Sequence, residues 1–285
     1  MSSSDPLSLA REHCRKLALR HYENFPVGRY GVPADRREHI HAIYAFARVA
    51  DDFADEPEYE GVRLERLDEW GAKLEACVRG DPVDDPVFVA LADTMKRCDL
   101  PVRLLHDLLS AFRQDAAKQR YGSWDEVLDY CRRSANPVGR LVLWVTGHRD
   151  EGLLPYSDAL CTGLQLANFW QDLSVDHARG RCYLPRADAV EEGVDVEALV
   201  RGESQEGFPA LLDALVARTR EFFDAAKPLP RRLRGLLRYE IAATWHGGRL
   251  ILERSAALGA RALKVRPSVT ILDKVLILAK AVRYP

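Results

Sequence analysis

The sequence has no apolar run long enough to span a bilayer, which excludes a bundle of membrane helices. Its opening residues, MSSSDPLSLAREHCRK, lack the basic-then-apolar order of a secretory signal. A cytoplasmic chain is expected, with contact at the inner membrane no more than peripheral. There is almost no net charge: 41 basic and 43 acidic residues leave −2. That balance gives no electrostatic case for a nucleic-acid partner. None of the six cysteines forms a CxxC pair, which argues against a zinc knuckle or a thioredoxin-type centre and for reduced thiols in a core. The eight histidines contain no pair at metal-ligand spacing; His39 and His41, two apart, would not share a helix face. A GxGxxG-like fingerprint is missing too. So are internal repeats, low-complexity tracts, convincing linkers and strand-like alternation between hairpin turns.

What remains is an ordinary globular composition, 47% hydrophobic and 29% charged over 285 residues, enough for a sizeable core. Helical periodicity runs nearly throughout. Helices are expected over 35–55, 62–78, 86–96 and 102–118. Another covers 124–147 and should bend at Asn136–Pro137, because Pro137 frees the carbonyl of Arg133. A further helix spans 156–177 and ends before the breakers Gly180 and Pro185. The stretch 210–282 reads as three or four helices. The expected fold is all-α, one domain over 1–285.

Two aspartate clusters stand out. Asp51, Asp52 and Asp55 lie in ARVADDFADEP; Asp172 and Asp176 lie in QLANFWQDLSVDHARG, with Asn168 one turn earlier. Residues four apart share a helix face. One such pair is ordinary on a solvated helix, but both of these end apolar stretches, where an inward orientation is favoured. Facing each other, the two helices would aim four carboxylates and an amide into one cavity. Such charge is intolerable alone, and oxygen ligands on rigid helices suit Mg²⁺ that also holds phosphates.

These segments carry a resemblance that extends over almost the whole chain. IYAFARVADDFADE, YCRRSANPVGRL and LQLANFWQDLSVDHARGRCYLP, in that order, resemble the diagnostic segments of the squalene and phytoene synthase family. The resemblance implies an isoprenoid-synthase helical bundle with a central cavity and magnesium-dependent chemistry on prenyl diphosphates. HYENFPVG and NFWQDLSVDHARGRCYLP look most like a bacterial branch of hopanoid synthesis. That branch ionises presqualene diphosphate and adds water, giving hydroxysqualene without NADPH. Its implied partners are the enzyme that makes presqualene diphosphate and a flavin-dependent enzyme that forms squalene. The alternative is a transferase joining two farnesyl diphosphates head to head; another is a helical bundle without activity that serves as an assembly subunit or binds prenyl lipids. Two departures bear on the choice. Gln171 stands where many members carry arginine, which argues against a second-substrate site, and Gly248 stands near a frequent tyrosine.

The expected ligands of several Mg²⁺ ions are Asp51, Asp55, Asn168, Asp172 and Asp176. Asp52, at i+1, reads either as a ligand or as an acceptor for a nearby cation. Arg48, one turn before Asp51 and Asp52, can bind a diphosphate bidentately or neutralise those aspartates. Tyr44 lies a turn further back, able to line the cavity, and Gln165 can share the face of Asn168. By resemblance, His21 and Asn24 approach the diphosphate and Phe25 the apolar chain. Tyr130 is implied near the reacting centre, where its ring can stabilise a cation. Gln171 could orient water, Arg181 and Tyr183 could close the site, and Asp115 could face the cavity.

Overall fold

The computed structural model describes residues 5–20 and 31–283. His21, Asn24 and Phe25 lie outside the described residues. The fold is all-α and divides into two compact units. The first comprises Met1–Ala117 with Pro137–Asp150, the second Lys118–Asn136 with Glu151–Pro285.

In the first unit α1 is Pro6–Arg20, α2 Arg37–Asp55, α3 Arg63–Arg79, α4 Pro86–Cys98 and α5 Arg103–Ala117. Local sequence accounts for their ends. Asp85 caps α4 by accepting the Val87 N–H at 2.9 Å, with Pro86 at the first helical position. Gly80, at φ +81°, ends α3 in the left-handed conformation. Phe46 of α2, Trp70 of α3 and Phe88 of α4 pack together, with the Trp70 and Phe88 centroids 4.5 Å apart. The Trp70 indole N–H donates to the Phe46 carbonyl at 3.2 Å, so the large ring is buried without losing its polar partner.

The helical stretch over 124–147 breaks where proline was expected to bend it. α6 is Trp124–Ser134 and α7 Asn136–Val145. All of α7 beyond Asn136 belongs to the first unit. Asn136, at the join, is buried and accepts a hydrogen bond from the Thr162 hydroxyl at 2.9 Å.

The second unit continues with α8 Leu154–Gln171, α9 Leu173–Ala178, α10 Arg186–Glu191, α11 Val196–Val200, α12 Phe208–Ala226, α13 Leu229–Arg232, α14 Leu237–Leu258 and α15 Ile271–Arg283. Two expectations need correction. The helix over 156–177 is interrupted at Asp172, whose backbone (φ −98°, ψ 11°) leaves helical geometry. And there is sheet: β1 (Arg120–Tyr121) pairs in parallel with β2 (Cys182–Pro185). Strands of this length carry too little alternation to read from sequence. Gly248 faces packed neighbours: a Cβ there would lie 2.4 Å from Leu164 Cδ2 and 3.0 Å from the Phe223 ring. No tyrosine fits at that position without displacing them.

All six cysteines are free, and four are buried. Burial pushes the Cys14 thiol up to about 12 and that of Cys182 to about 11. They are inert core groups.

Burial also lowers the pKa of His39, His41, His177 and His246. For His246 the neighbouring Lys280 ammonium reinforces the effect. His39 shares a hydrogen bond with the Thr94 hydroxyl at 3.0 Å. A base whose folded pKa is depressed binds its proton more readily when unfolded, so stability is lost as pH falls below the unfolded value. The denaturant midpoint is therefore expected to fall between about pH 7.5 and about pH 5.5. The ion-paired acids Asp93, Asp129 and Glu253 have lowered pKa values, and their contribution is lost only at more acid pH, below their unfolded values. A midpoint that is level or rises on acidification through that interval would contradict the assignment.

Candidate active site

In the first unit, one stripe of α2 lines a cavity of about 180 Å³. The stripe is Ile40, Ile43, Tyr44, Ala47, Arg48 and Asp51, facing Leu108 and Phe112 of α5 and Val138, Leu141 and Val142 of α7. Spacings of three and four put these α2 residues on one side. The lining is apolar except at the Tyr44, Arg48 and Asp51 end. That is the polarity of a site for an apolar chain with a charged head. Asp115 lies one turn beyond Phe112 on the same face of α5 and is buried.

Arg48 neutralises the first cluster. Its guanidinium reaches Asp51 Oδ2 at 3.2 Å, Glu56 at 3.7 Å, and Asp52 more closely still. Asp52 thus serves as the acceptor for the nearby cation, one of the two readings open from its spacing. Arg48 itself is 17% exposed, so its charge acts at reduced screening. Burial raises the Tyr44 pKa, with Asp51 and Asp52 adding to it against Arg48. Tyr44 is therefore a neutral phenol able to donate a hydrogen bond.

In the second unit the interruption at Asp172 does not scatter the second cluster. The Asp172 N–H donates to the Asn168 carbonyl at 2.9 Å, and the Asp176 N–H to the Asp172 carbonyl at 2.8 Å. The four-residue ladder runs through the break, so Asn168, Asp172 and Asp176 keep one face, with Gln165 a turn earlier. Gly180, at φ +73°, then turns the chain. The Arg181 N–H closes that turn onto the Asp176 carbonyl at 2.8 Å. Arg120 holds it from outside, donating to the Gly180 carbonyl and pairing with Glu197 of α11 at 3.0 Å.

The turn delivers Tyr183 on β2. Its ring stacks on Phe169 with centroids 3.8 Å apart and planes at 10°. Tyr130 lies 5.9 Å from both Phe169 and Tyr183, and Tyr121 5.3 Å from Tyr183. Phe169, the residue that follows Asn168, thus belongs to a group of four aromatic rings. Tyr130 and Tyr183 are candidates from sequence; Phe169 and Tyr121 are not, because an aromatic on an apolar helix or short strand reads as packing.

The C-terminal loop supplies a residue with no signature in the sequence. Arg266 pairs with Asp172, and its Nη2 lies 3.4 Å from Asp172 Oδ2. Beside it, the Gln171 amide donates to the Pro267 carbonyl at 2.7 Å. The glutamine at the departing position therefore holds the loop that carries a guanidinium to the neighbouring aspartate. A pairing 94 residues apart leaves no local pattern to read.

Among the described residues no three His, Cys, Asp or Glu side chains gather closely enough to hold a metal unaided. The donor chemistry nevertheless fits Mg²⁺. Each cluster offers carboxylate oxygens without competing thiolate or imidazole, and Mg²⁺ commonly takes one or two carboxylates and completes its shell with water and phosphate.

The squalene/phytoene synthase family model matches residues 18–273. The chain belongs to that family.

Its relatives include a hydroxysqualene synthase of Rhodopseudomonas palustris, 39% identical over 74% of this chain and 72% of the relative. A phytoene synthase of Arthrospira platensis is 32% identical, over 76% of this chain and 74% of the relative. Among solved structures, squalene synthase HpnC of Alicyclobacillus acidocaldarius superposes with TM-score 0.82 at 36% identity. That match covers 89% of this chain and 95% of the other. Membership of the squalene/phytoene synthase family makes this an enzyme of prenyl diphosphate processing. No helix among the described residues is long and apolar enough to cross a membrane.

Proposed function

We propose that this member of the squalene/phytoene synthase family converts presqualene diphosphate to hydroxysqualene. The observation that carries the reading is its 39% identity to a hydroxysqualene synthase. The site carries groups suited to that conversion. The carbon–oxygen bond to diphosphate breaks with its electrons leaving on the diphosphate; water adds to the carbocation and loses a proton.

Asp51, Asp55, Asn168, Asp172 and Asp176 would hold Mg²⁺. When bound, Mg²⁺ neutralises charge on the departing diphosphate. Arg48 and Arg266, already beside these carboxylates, provide guanidinium donors for phosphate oxygens. The Tyr44 phenol adds a neutral donor. The apolar cavity of the first unit takes part of the hydrocarbon. The ring of Tyr130, tilted against Phe169 and Tyr183 rather than stacked on them, offers its face to a cation, while its hydroxyl orients water. The reaction has no redox change, so NADPH is not required. Presqualene diphosphate would come from a second enzyme, and reductive removal of the hydroxyl would fall to a flavin-dependent one.

A specific observation favours a second reading, head-to-head condensation of farnesyl diphosphate. Gln171 alone would argue that a phosphate-binding cation has been lost, but Arg266 brings a cation to Asp172, and a phytoene synthase is among the relatives.

Product analysis in ¹⁸O-water separates the two. With presqualene diphosphate and no NADPH, the expected product is a C30 alcohol carrying the label in its hydroxyl. An unlabelled hydroxyl would rule out capture of solvent water. Efficient formation of a C30 product from farnesyl diphosphate alone would replace the proposal with the condensing one.

A further inference from the structure

The last helix presents an apolar face outward. Ile271, Leu272, Val275, Leu276, Leu278 and Val282 of α15 are each between 59% and 81% exposed. This is not a frayed end. Thr270 and Asp273 form a reciprocal cap: the Asp273 carboxylate accepts the Thr270 N–H at 2.7 Å, and the Thr270 hydroxyl accepts the Asp273 N–H at 3.2 Å. Asp273 also pairs with Arg254 of α14 at 2.7 Å. Ile277 lies against Gly247, its Cδ1 3.8 Å from where a Cβ would stand, and Ala281 is buried. One stripe therefore anchors α15 on α14 and leaves a broad apolar stripe in water, an arrangement that a lone soluble chain does not favour.

The charge around that stripe has one sign. At 3.6 residues per turn, Lys274 and Lys280 fall on its opposite edges, with Arg283 at its end. All three are exposed. Among the described residues none of them forms a salt bridge, and the one acid of α15, Asp273, is already engaged. Because α15 packs antiparallel to α14, with Asp273 on Arg254 and Ile277 on Gly247, its C-terminal end runs toward the start of α14. There the segment KPLPRRLRGLLR, 227–238, holds five basic residues and no acidic one. Leu236 in it is 63% exposed. In a chain of net charge −2, this is a marked local excess.

We propose that the outer face of α15, with the basic segment at its end, docks in the plane of an anionic lipid bilayer. The apolar stripe would enter the interface, while Lys274 and Lys280 extend to headgroups from its edges. A second copy is the poorer occupant. A two-fold contact through α15 would bring the same three cations of each copy together, without a free acid on the helix to offset them. Nucleic acid would meet the cations but leave the apolar stripe in water. The docking surface does not depend on which prenyl diphosphate is turned over.

The test uses the full chain and vesicle flotation, comparing phosphatidylglycerol with phosphatidylcholine vesicles. The protein is expected to float with the former, less so as salt rises, and hydrogen exchange of α15 should slow on vesicle addition. Lys274→Gln with Lys280→Gln should weaken partitioning by roughly twenty-five-fold, about fivefold for each charge removed. Val275→Asp with Leu278→Asp should abolish flotation while leaving circular dichroism unchanged. Two results would overturn the proposal: wild-type protein that floats with neither vesicle and shows no added protection in α15, or a wild-type dimer that the Val275 and Leu278 substitutions convert to monomer.

Discussion

Asp51→Asn and Asp172→Asn should each lower turnover by about 10²–10³-fold, the range seen when one electrostatic stabiliser of a developing anion is removed. Asparagine keeps the size and one oxygen but removes the charge that would bind Mg²⁺. Each aspartate also balances a guanidinium, Arg48 at Asp51 and Arg266 at Asp172. Both pairs are partly exposed, with Asp51 at 37% and Arg266 at 50%, so their loss costs little stability. Helicity and melting temperature should stay near wild type while the rate falls. Single-turnover measurement with saturating Mg²⁺ and presqualene diphosphate is the check. Wild-type rates in both variants would remove the aspartates from the chemistry, as would full wild-type activity in excess chelator.

The largest expected effect on folding is at Trp170. It is fully buried and stands between the two site residues Asn168 and Asp172 in sequence. Its indole N–H donates to the Thr219 hydroxyl at 2.9 Å, and that hydroxyl donates to the Leu215 carbonyl at 2.7 Å. Trp170→Ala should cost about 3–5 kcal/mol in denaturant unfolding, from lost burial and the cavity left behind. Trp170→Phe should cost less, keeping most of the apolar surface but leaving the hydroxyl without its donor. Because α8 and α12 are joined at this ring, the loss should also disturb Asp172. An alanine variant within about 1 kcal/mol of wild type would contradict this packing account.

The helical character and both aspartate faces were legible in the sequence because period and spacing are local. The break at Asn136–Pro137 was legible for the same reason, since proline lacks the N–H that a continuous helix needs. The interruption at Asp172 was not, because no glycine or proline marks it. Nor was the pairing of Arg120–Tyr121 with Cys182–Pro185, whose strands are too short to show a period. Tyr130 and Tyr183 could be named from resemblance, yet their grouping with Phe169 and Tyr121 depends on a turn and a crossing of elements. The role of Arg48 was half legible: its spacing put it beside the aspartates, and the structure shows which oxygens it takes. Arg266 lay beyond reach, because only tertiary folding brings it to Asp172.

Arg48 and Arg266 give each aspartate cluster its own internal counterion. A metal ion arriving alone would have to compete with a guanidinium already in place, and the displaced cation would gain nothing in return. Under the proposed function, Mg²⁺ arriving with diphosphate would meet a different balance: the carboxylates would turn to the metal and the guanidiniums to the phosphate oxygens, so each charge would exchange one partner for another. Occupancy by metal and by diphosphate would thereby be thermodynamically linked, and by reciprocity each would tighten the binding of the other. The resting protein would then be spared a standing demand for metal, each cluster staying neutralised by its own guanidinium until an anionic substrate arrives.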